Sequence, residues 1–249
     1  MRLNLNEGAD LQYRLVVGST VRWVVRMDID MSVSSPGDAA ETMQAMVTSA
    51  IDCEIVRIEG QTALVRPIAH RSDFWVRGGT LTEDDVADPM AGFIKAFLLD
   101  DLGSVVPLVD ERASALAPPD DANPGRALLL SLFPPYAGQA VTPGRQWEVE
   151  LHHSWSAATT TPVVQVALAR LEHGSDGRMI PVLLHGLEYD WANEADGSQD
   201  YAAKGQVRFA AETRVDPADG WALHTEGTCE IAAHFERDDG VARSVTTRI

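Results

Sequence analysis

Between Thr20 and Val33 the chain reads TVRWVVRMDIDMSV, with an apolar residue at every second position. Val21, Trp23, Val25, Met27, Ile29, Met31 and Val33 share one side, and Arg22, Arg26, Asp28, Asp30 and Ser32 share the other. A helix repeats its faces every ~3.6 residues and a strand every second residue, so this stretch predicts a long strand with one buried and one wet face. Half-wet strands belong to antiparallel sheets, because the strands of a parallel α/β sheet are covered on both sides and read as continuous apolar runs.

The same grammar returns along the chain. LQYRLVV alternates just before the first strand, and Gly18-Ser19 between the two runs predicts an N-terminal hairpin. In AIDCEIVRIEGQTALVRPI the turn falls at Glu59-Gly60-Gln61, and in VVQVALARLEHGSDGRMIPVLLHGLEYDW at Gly174 to Gly177. The last third reads as a three-strand meander with turns at DPADG and DDG, whose residues tolerate turn dihedrals. About ten strands result, more than a small open sheet holds, which favours a curled antiparallel sheet or incomplete barrel.

Two stretches carry a helical period instead. DPMAGFIKAFLLDDLG has Asp88 to cap, Pro89 at the first turn, and Met90, Phe93, Ile94, Phe97 and Leu98 on one face before Gly103. NPGRALLLSLFPP has Asn123 and Pro124 at its start and Pro134-Pro135 as its stop, with Leu128, Leu129, Leu130, Leu132 and Phe133 around the axis. A helix without a polar face must be buried, so Leu129 and Phe133 are expected to touch side chains from both strand blocks. The layout is one domain over residues 1–249: a first strand block at 1–79, a helical insertion at 80–133 packed on the concave side, and a second strand block at 134–249.

The formal charge is -17, and Lys95 and Lys204 are the only lysines beside eighteen arginines. A field of that sign repels phosphate backbones and anionic lipid surfaces, so nucleic acid is not an expected partner. No window reaches the roughly 20 apolar residues of a membrane helix. The start MRLNLNEGADLQY has no basic and apolar export signal, which predicts a cytoplasmic chain as written, or a periplasmic or extracellular one if Met1 replaces a removed signal. Cys53 and Cys229 are two thiols in a long chain, read as buried rather than as a disulfide framework, although they could pair.

SLFPPYAGQAVTPGRQWEVEL resembles an uncharacterised family of bacterial exported β proteins and lipoproteins, through Leu132, Phe133, Pro134, Pro143, Gly144 and Trp147. In that family an apolar helix ends at Phe-Pro and a Pro-Gly or Val-Gly turn feeds a Trp-bearing strand. The closing meander, with its turn from Pro217 to Gly220, also looks like that family. Its organisation is similar to the lipoprotein-localisation-factor fold, and the resemblance therefore implies an incomplete barrel that holds acyl chains. It implies no catalytic residues.

Several constellations invite chemistry. In WEVELHHSW the strand period puts His152 and His153 on opposite sides, leaving Glu150 and His152 as a pair where zinc needs three or four ligands. His224, Glu226, Thr228, Glu230, His234 and Glu236 share a wet face, and Arg208, Glu212 and Arg214 share another, which reads as a solvated cross-strand ladder. A divalent cation among His185, His224 and Glu226 is the weaker metal reading. Asp28-x-Asp30 compares with the haloacid-dehalogenase phosphatases, but the alternating arginines beside it oppose the apolar parallel strand that such a site needs. Nucleophile-elbow, phosphate-loop and dinucleotide glycine motifs are absent.

The reading is a non-enzymatic binding protein without a cofactor. Trp23, Met27, Met31, Phe93, Phe97 and Trp147 would line a concave pocket for an apolar small molecule or lipid, since methionine and tryptophan adapt to acyl or isoprenoid groups. The alternatives are an assembly subunit, which pairs with a protein partner or a second copy through sheet edges and the strand at VARSVTTRI, and a cation-assisted hydrolase.

Overall fold

The computed structural model describes residues 9–37, 39–78, 96–107, 132–151, 161–193, 201–237 and 242–248. Eleven strands run through them: β1 (Thr20–Ser34), β2 (Glu41–Glu59), β3 (Thr62–Arg77), β4 (Phe97–Asp100), β5 (Val105–Pro107), β6 (Gln146–Glu150), β7 (Val163–His173), β8 (Met179–Asn193), β9 (Tyr201–Val215), β10 (Ala222–Arg237) and β11 (Ala242–Arg248). All pair antiparallel in one sheet, in the order β5-β4-β3-β2-β1-β11-β10-β9-β8-β7-β6. The edge strands β5 and β6 do not pair with each other, so the sheet is not closed into a barrel.

The sheet nevertheless curls tightly. Phe97 on β4 and Trp221, just before β10, stand five strand spacings apart, about 24 Å in a flat sheet. Yet one ring, Phe133, lies 5.4 Å from the Phe97 centroid and 6.1 Å from that of Trp221. The period-two apolar residues fill the resulting hollow: Trp23, Met27, Val47, Ile51, Val65, Leu168, Leu187, Phe209 and Ile231 all belong to one buried cluster.

The strand grammar predicts most of this. The β2–β3 hairpin turns at Gly60 and the β7–β8 hairpin at Gly177, both with positive φ. β9, β10 and β11 form the meander, turning at Gly220, while the DDG turn lies outside the described residues. Gly220 is fixed twice, by its φ of 78° and because a Cβ there would stand 2.2 Å from the Gln12 carbonyl oxygen.

Three expectations are corrected. The N-terminal hairpin does not form: Leu11 and Tyr13 are buried alternately as the pattern requires, but the backbone pairs elsewhere, Tyr13 N donating to Asp101 O and Arg14 N to Asp219 O, both at 2.8 Å. The first helix is replaced at its C-terminal end by β4, where Phe97 and Leu99 point to the core and pair with Val65 and Ala63; residues 88–95 lie outside the described residues. Phe97, Leu98 and Leu99 satisfy a helical and an alternating pattern equally, and the open side of β3 decides between them. Of the second helix only Leu132 keeps helical geometry among the described residues, and 123–131 lie outside them. The third correction concerns the last strand, which is no edge: β11 lies in the middle of the sheet, between β1 and β10.

Candidate functional site

The concave face divides into a plugged end and an open end. At the plugged end the chain at the close of the insertion enters the hollow, where Leu132, Phe133, Pro134, Pro135 and Tyr136 are all buried. Phe133 packs edge-on against Trp23 at 5.4 Å and Phe97 at 5.4 Å. Tyr13 stacks at 4.8 Å on Tyr136 and meets Trp221 at 5.1 Å. The Tyr13 hydroxyl donates to Pro134 O at 3.3 Å, and that of Tyr136 to Gly220 O. Burial, with Tyr136 beside it, holds the Tyr13 phenol well above its usual range. The two stretches that carry the family resemblance thus meet in space, through Tyr136 and Gly220.

Register defines the open end. One level across the sheet runs Met43 on β2, Met31 on β1, Thr247 on β11, Ile231 on β10, Val207 on β9 and Tyr189 on β8. The next level outward runs Val33, Val245, Ala233, Gly205 and Trp191. Side chains of one level share a face because the pleat has period two. Here burial loosens: Met31, Val33, Val76, Phe235 and Val245 are only half-buried, although each stands on the concave face. Trp191 folds over Gly205, where a Cβ would come within 2.8 Å of the indole ring and 2.1 Å of Ala232 O.

One polar row crosses the interior. His185 Nε2 lies 3.0 Å from Thr213 Oγ1, which lies 3.0 Å from Thr225 Oγ1. His185 is 4% exposed and tilts against the Phe209 ring at 5.5 Å. Burial lowers its pKa to about 4, so the ring is neutral near pH 7, and its Nδ1 has no partner among the described residues. The other buried polar side chains described are Ser49 and Thr213, so no carboxylate stands buried on this face.

The residues singled out in the sequence separate as follows. Trp23 and Phe97 come together through Phe133, within the buried cluster. Met27 is buried one level inside Ile29, and Met31 lies at the half-open end. Trp147 stands on the edge strand β6, with its indole N–H donating to Pro135 O at 3.2 Å, while Phe93 lies outside the described residues. The weak metal trio is divided between faces, His185 inside and His224 with Glu226 exposed outside. Among the described residues no group of three His, Cys, Asp or Glu side chains is placed to hold a metal. Glu148 and Glu150 face solvent, and His152 and His153 lie outside the described residues. Asp28 and Asp30 lie on the wet face, beside Arg26 and Gln44.

The expected ion-pair ladder exists with different partners. Arg170 forks onto Glu212 at 2.9 and 3.0 Å, Arg214 reaches Glu172 at 3.0 Å, and Arg208 reaches Glu188 at 3.0 Å, so β7, β8 and β9 carry it rather than β9 and β10. Glu226 faces Glu212 directly across that pair, a like-charge neighbour. Cys53 and Cys229 are separate buried thiols, and burial pushes both up to about 12. Sequence reasoning missed Tyr136, which meets Tyr13 from a loop where no periodicity exists to find it.

No family model matches the chain, and no curated protein matches it. Among solved structures the chain is similar to lipovitellin, in a structure concerned with lipid–protein interactions, with a TM-score of 0.39 and 11% identity over 94% of this chain and 25% of that one. The chain therefore spans about a quarter of the length of that neighbour. No helix of the described residues is long and apolar enough to cross a membrane. What stands of the family resemblance is the large antiparallel sheet.

Proposed function

We propose that the chain is a non-enzymatic binding protein that holds an apolar ligand of acyl-chain type against the open end of its concave face. One observation carries this reading: at one end of the largely buried concave face, Met31, Val33, Val76, Phe235 and Val245 line a mouth of half-buried apolar side chains. Apolar surface left partly wet costs roughly 25 cal/mol per Å², so a ligand that covers it gains that much. Methionine at Met31 and Met43 adapts to a flexible chain, and Trp191 and Tyr189 form a firm floor.

The test combines native mass spectrometry of gently purified protein with titration of a fluorescent fatty acid. A bound lipid mass, or saturable probe binding that Met31→Arg weakens at least about tenfold, is the expected result, since that substitution places a charge in the mouth. No lipid mass and no probe binding overturn the reading.

A further inference from the structure

Strand β11 carries two arginines, and the register puts them on opposite faces. Arg248 stands opposite Asp30 and Glu230 on the wet face, and its Nε reaches Glu230 Oε1 at 2.8 Å. Arg243 is an odd number of residues away, so the pleat turns it to the concave face with Val245 and Thr247. There it stands opposite Phe235. Phe235 across from it and Val245 beside it are two of the residues that line the mouth.

The surroundings of the two arginines differ in charge. On the wet face Arg22 stands opposite Asp52, Arg208 opposite Glu188 and Arg248 opposite Glu230, so each has a carboxylate across the strand. Arg243 has none in the matching places. Its neighbour on β10 is the Phe235 ring, and one further step of the β1 register brings Ser35. Residues directly opposite stand about 5 Å apart, so the pairing that neutralises the wet-face arginines does not neutralise this one. Arg243 is also exposed. A cation therefore sits in water at the rim of a half-buried apolar surface, an arrangement that matches the head and tail of an amphiphile.

We propose that Arg243 binds the anionic head, carboxylate or phosphate, of an amphiphile whose tail lies on Val245, Val33 and Met31. This inference rests on the acyl-ligand reading and adds to it the class of head group. Arginine suits the task because its planar fork donates two parallel hydrogen bonds to a carboxylate or phosphate. From Arg243 to Thr247 the concave face runs about 13 Å along β11, which gives the tail two levels to cover. Two features oppose an anion, and both act at a distance. Glu41, which the register puts on this face opposite Val33, stands two strand spacings from β11, about 10 Å. The charge of -17 is spread over the molecule and is largely screened beyond about 8 Å at physiological ionic strength. A head group in contact with Arg243 is closer to that cation than to either.

Calorimetric titration of the whole protein with dodecanoate, dodecyl phosphate and dodecanol, each below its micelle concentration, tests it. At least one of the two anions is expected to bind about fivefold tighter than dodecanol, and which of them does so separates a free fatty acid from a phosphate-bearing lipid. Raising the salt concentration shrinks that preference. Arg243→Gln, a change at an exposed side chain, lowers the affinity for the preferred anion about fivefold, to that of dodecanol. Arg243→Lys keeps the charge without the fork and restores part of the preference. The proposal alone is overturned if dodecanol binds as tightly as both anions. It is also overturned if Arg243→Gln keeps the preference, the behaviour of an arginine that only solvates the rim. If none of the three probes binds, the acyl-ligand reading fails and the head-group assignment fails with it.

Discussion

Trp23 on β1 and Phe133 at the end of the insertion meet edge to face, with ring centroids 5.4 Å apart, and this contact anchors the plug to the first strand block. Phe133 is 0% exposed and touches Phe97, Tyr13 and Trp221 as well, so its ring is shared by both halves of the chain. Phe133→Ala leaves a ring-sized hole lined by four aromatic side chains. It is expected to destabilise the fold by about 3–5 kcal/mol, read as a lowered urea midpoint. Trp147→Phe, which removes one indole hydrogen bond at a half-buried edge, should cost about 1 kcal/mol. Equal effects of the two changes would show that Phe133 is not the centre of the plug.

Gly205 is a packing requirement rather than a turn. It lies in the middle of β9 opposite Trp191, and a Cβ would overlap both the Trp191 ring and Ala232 O. Gly205→Ala therefore forces the indole or β10 to move, at a cost of roughly 1–3 kcal/mol, and should shift tryptophan emission because Trp191 is 1% exposed. An unchanged melting temperature together with an unchanged spectrum would contradict this packing.

Much of the sheet is legible in the sequence because period two acts locally: Val21 through Val33 face as the alternation requires, and the turns fall where Gly60 and Gly220 allow positive φ. The neighbours of β11 are not legible, since alternation fixes a strand's faces and not its partners. Phe97, Leu98 and Leu99 are too short a run to separate helix from strand, and β3 supplied the deciding partner. The concave face was readable at Met27 and Met31. Tyr136 was not, because it reaches the core from a loop that satisfies its backbone through a single hydrogen bond, whereas Tyr13 stands on the alternation of LQYRLVV. Whether a buried methionine floors a site or merely fills core depends on curvature, which no residue pattern encodes.

Cys53 and Cys229 test the core in a different way. Both thiols are buried, at 1% and 5% exposure, and burial pushes both up to about 12, which leaves almost no thiolate at neutral pH. Native protein should therefore leave both thiols unmodified by a disulfide reagent over minutes, and both should react once the chain is unfolded. Fast labelling of either one without unfolding would mean that its strand opens locally.

His185 gives the fold an acid limit that can be isolated. The ring is buried against Phe209 and its pKa is lowered to about 4 from an unfolded value near 6.5, because burial disfavours the imidazolium. Between those two pH values the unfolded chain binds a proton that the folded chain does not, so stability is complete above pH ~6.5 and falls as the pH drops toward ~4. A difference of that size corresponds to about 3 kcal/mol lost across the window, with no further loss from this group below it. Carboxylates such as Glu172 and Glu212, held low by Arg214 and Arg170, contribute at lower pH and overlap only its bottom edge. His185→Leu removes the titration while keeping an apolar side chain beside Phe209, and Thr213 keeps its bond to Thr225. Urea unfolding at pH 7.5 and 4.5 should show a smaller loss in the variant than in the parent, by about 2–3 kcal/mol. Identical losses in the two proteins would place the acid sensitivity elsewhere and imply that water reaches the His185 ring in the folded state.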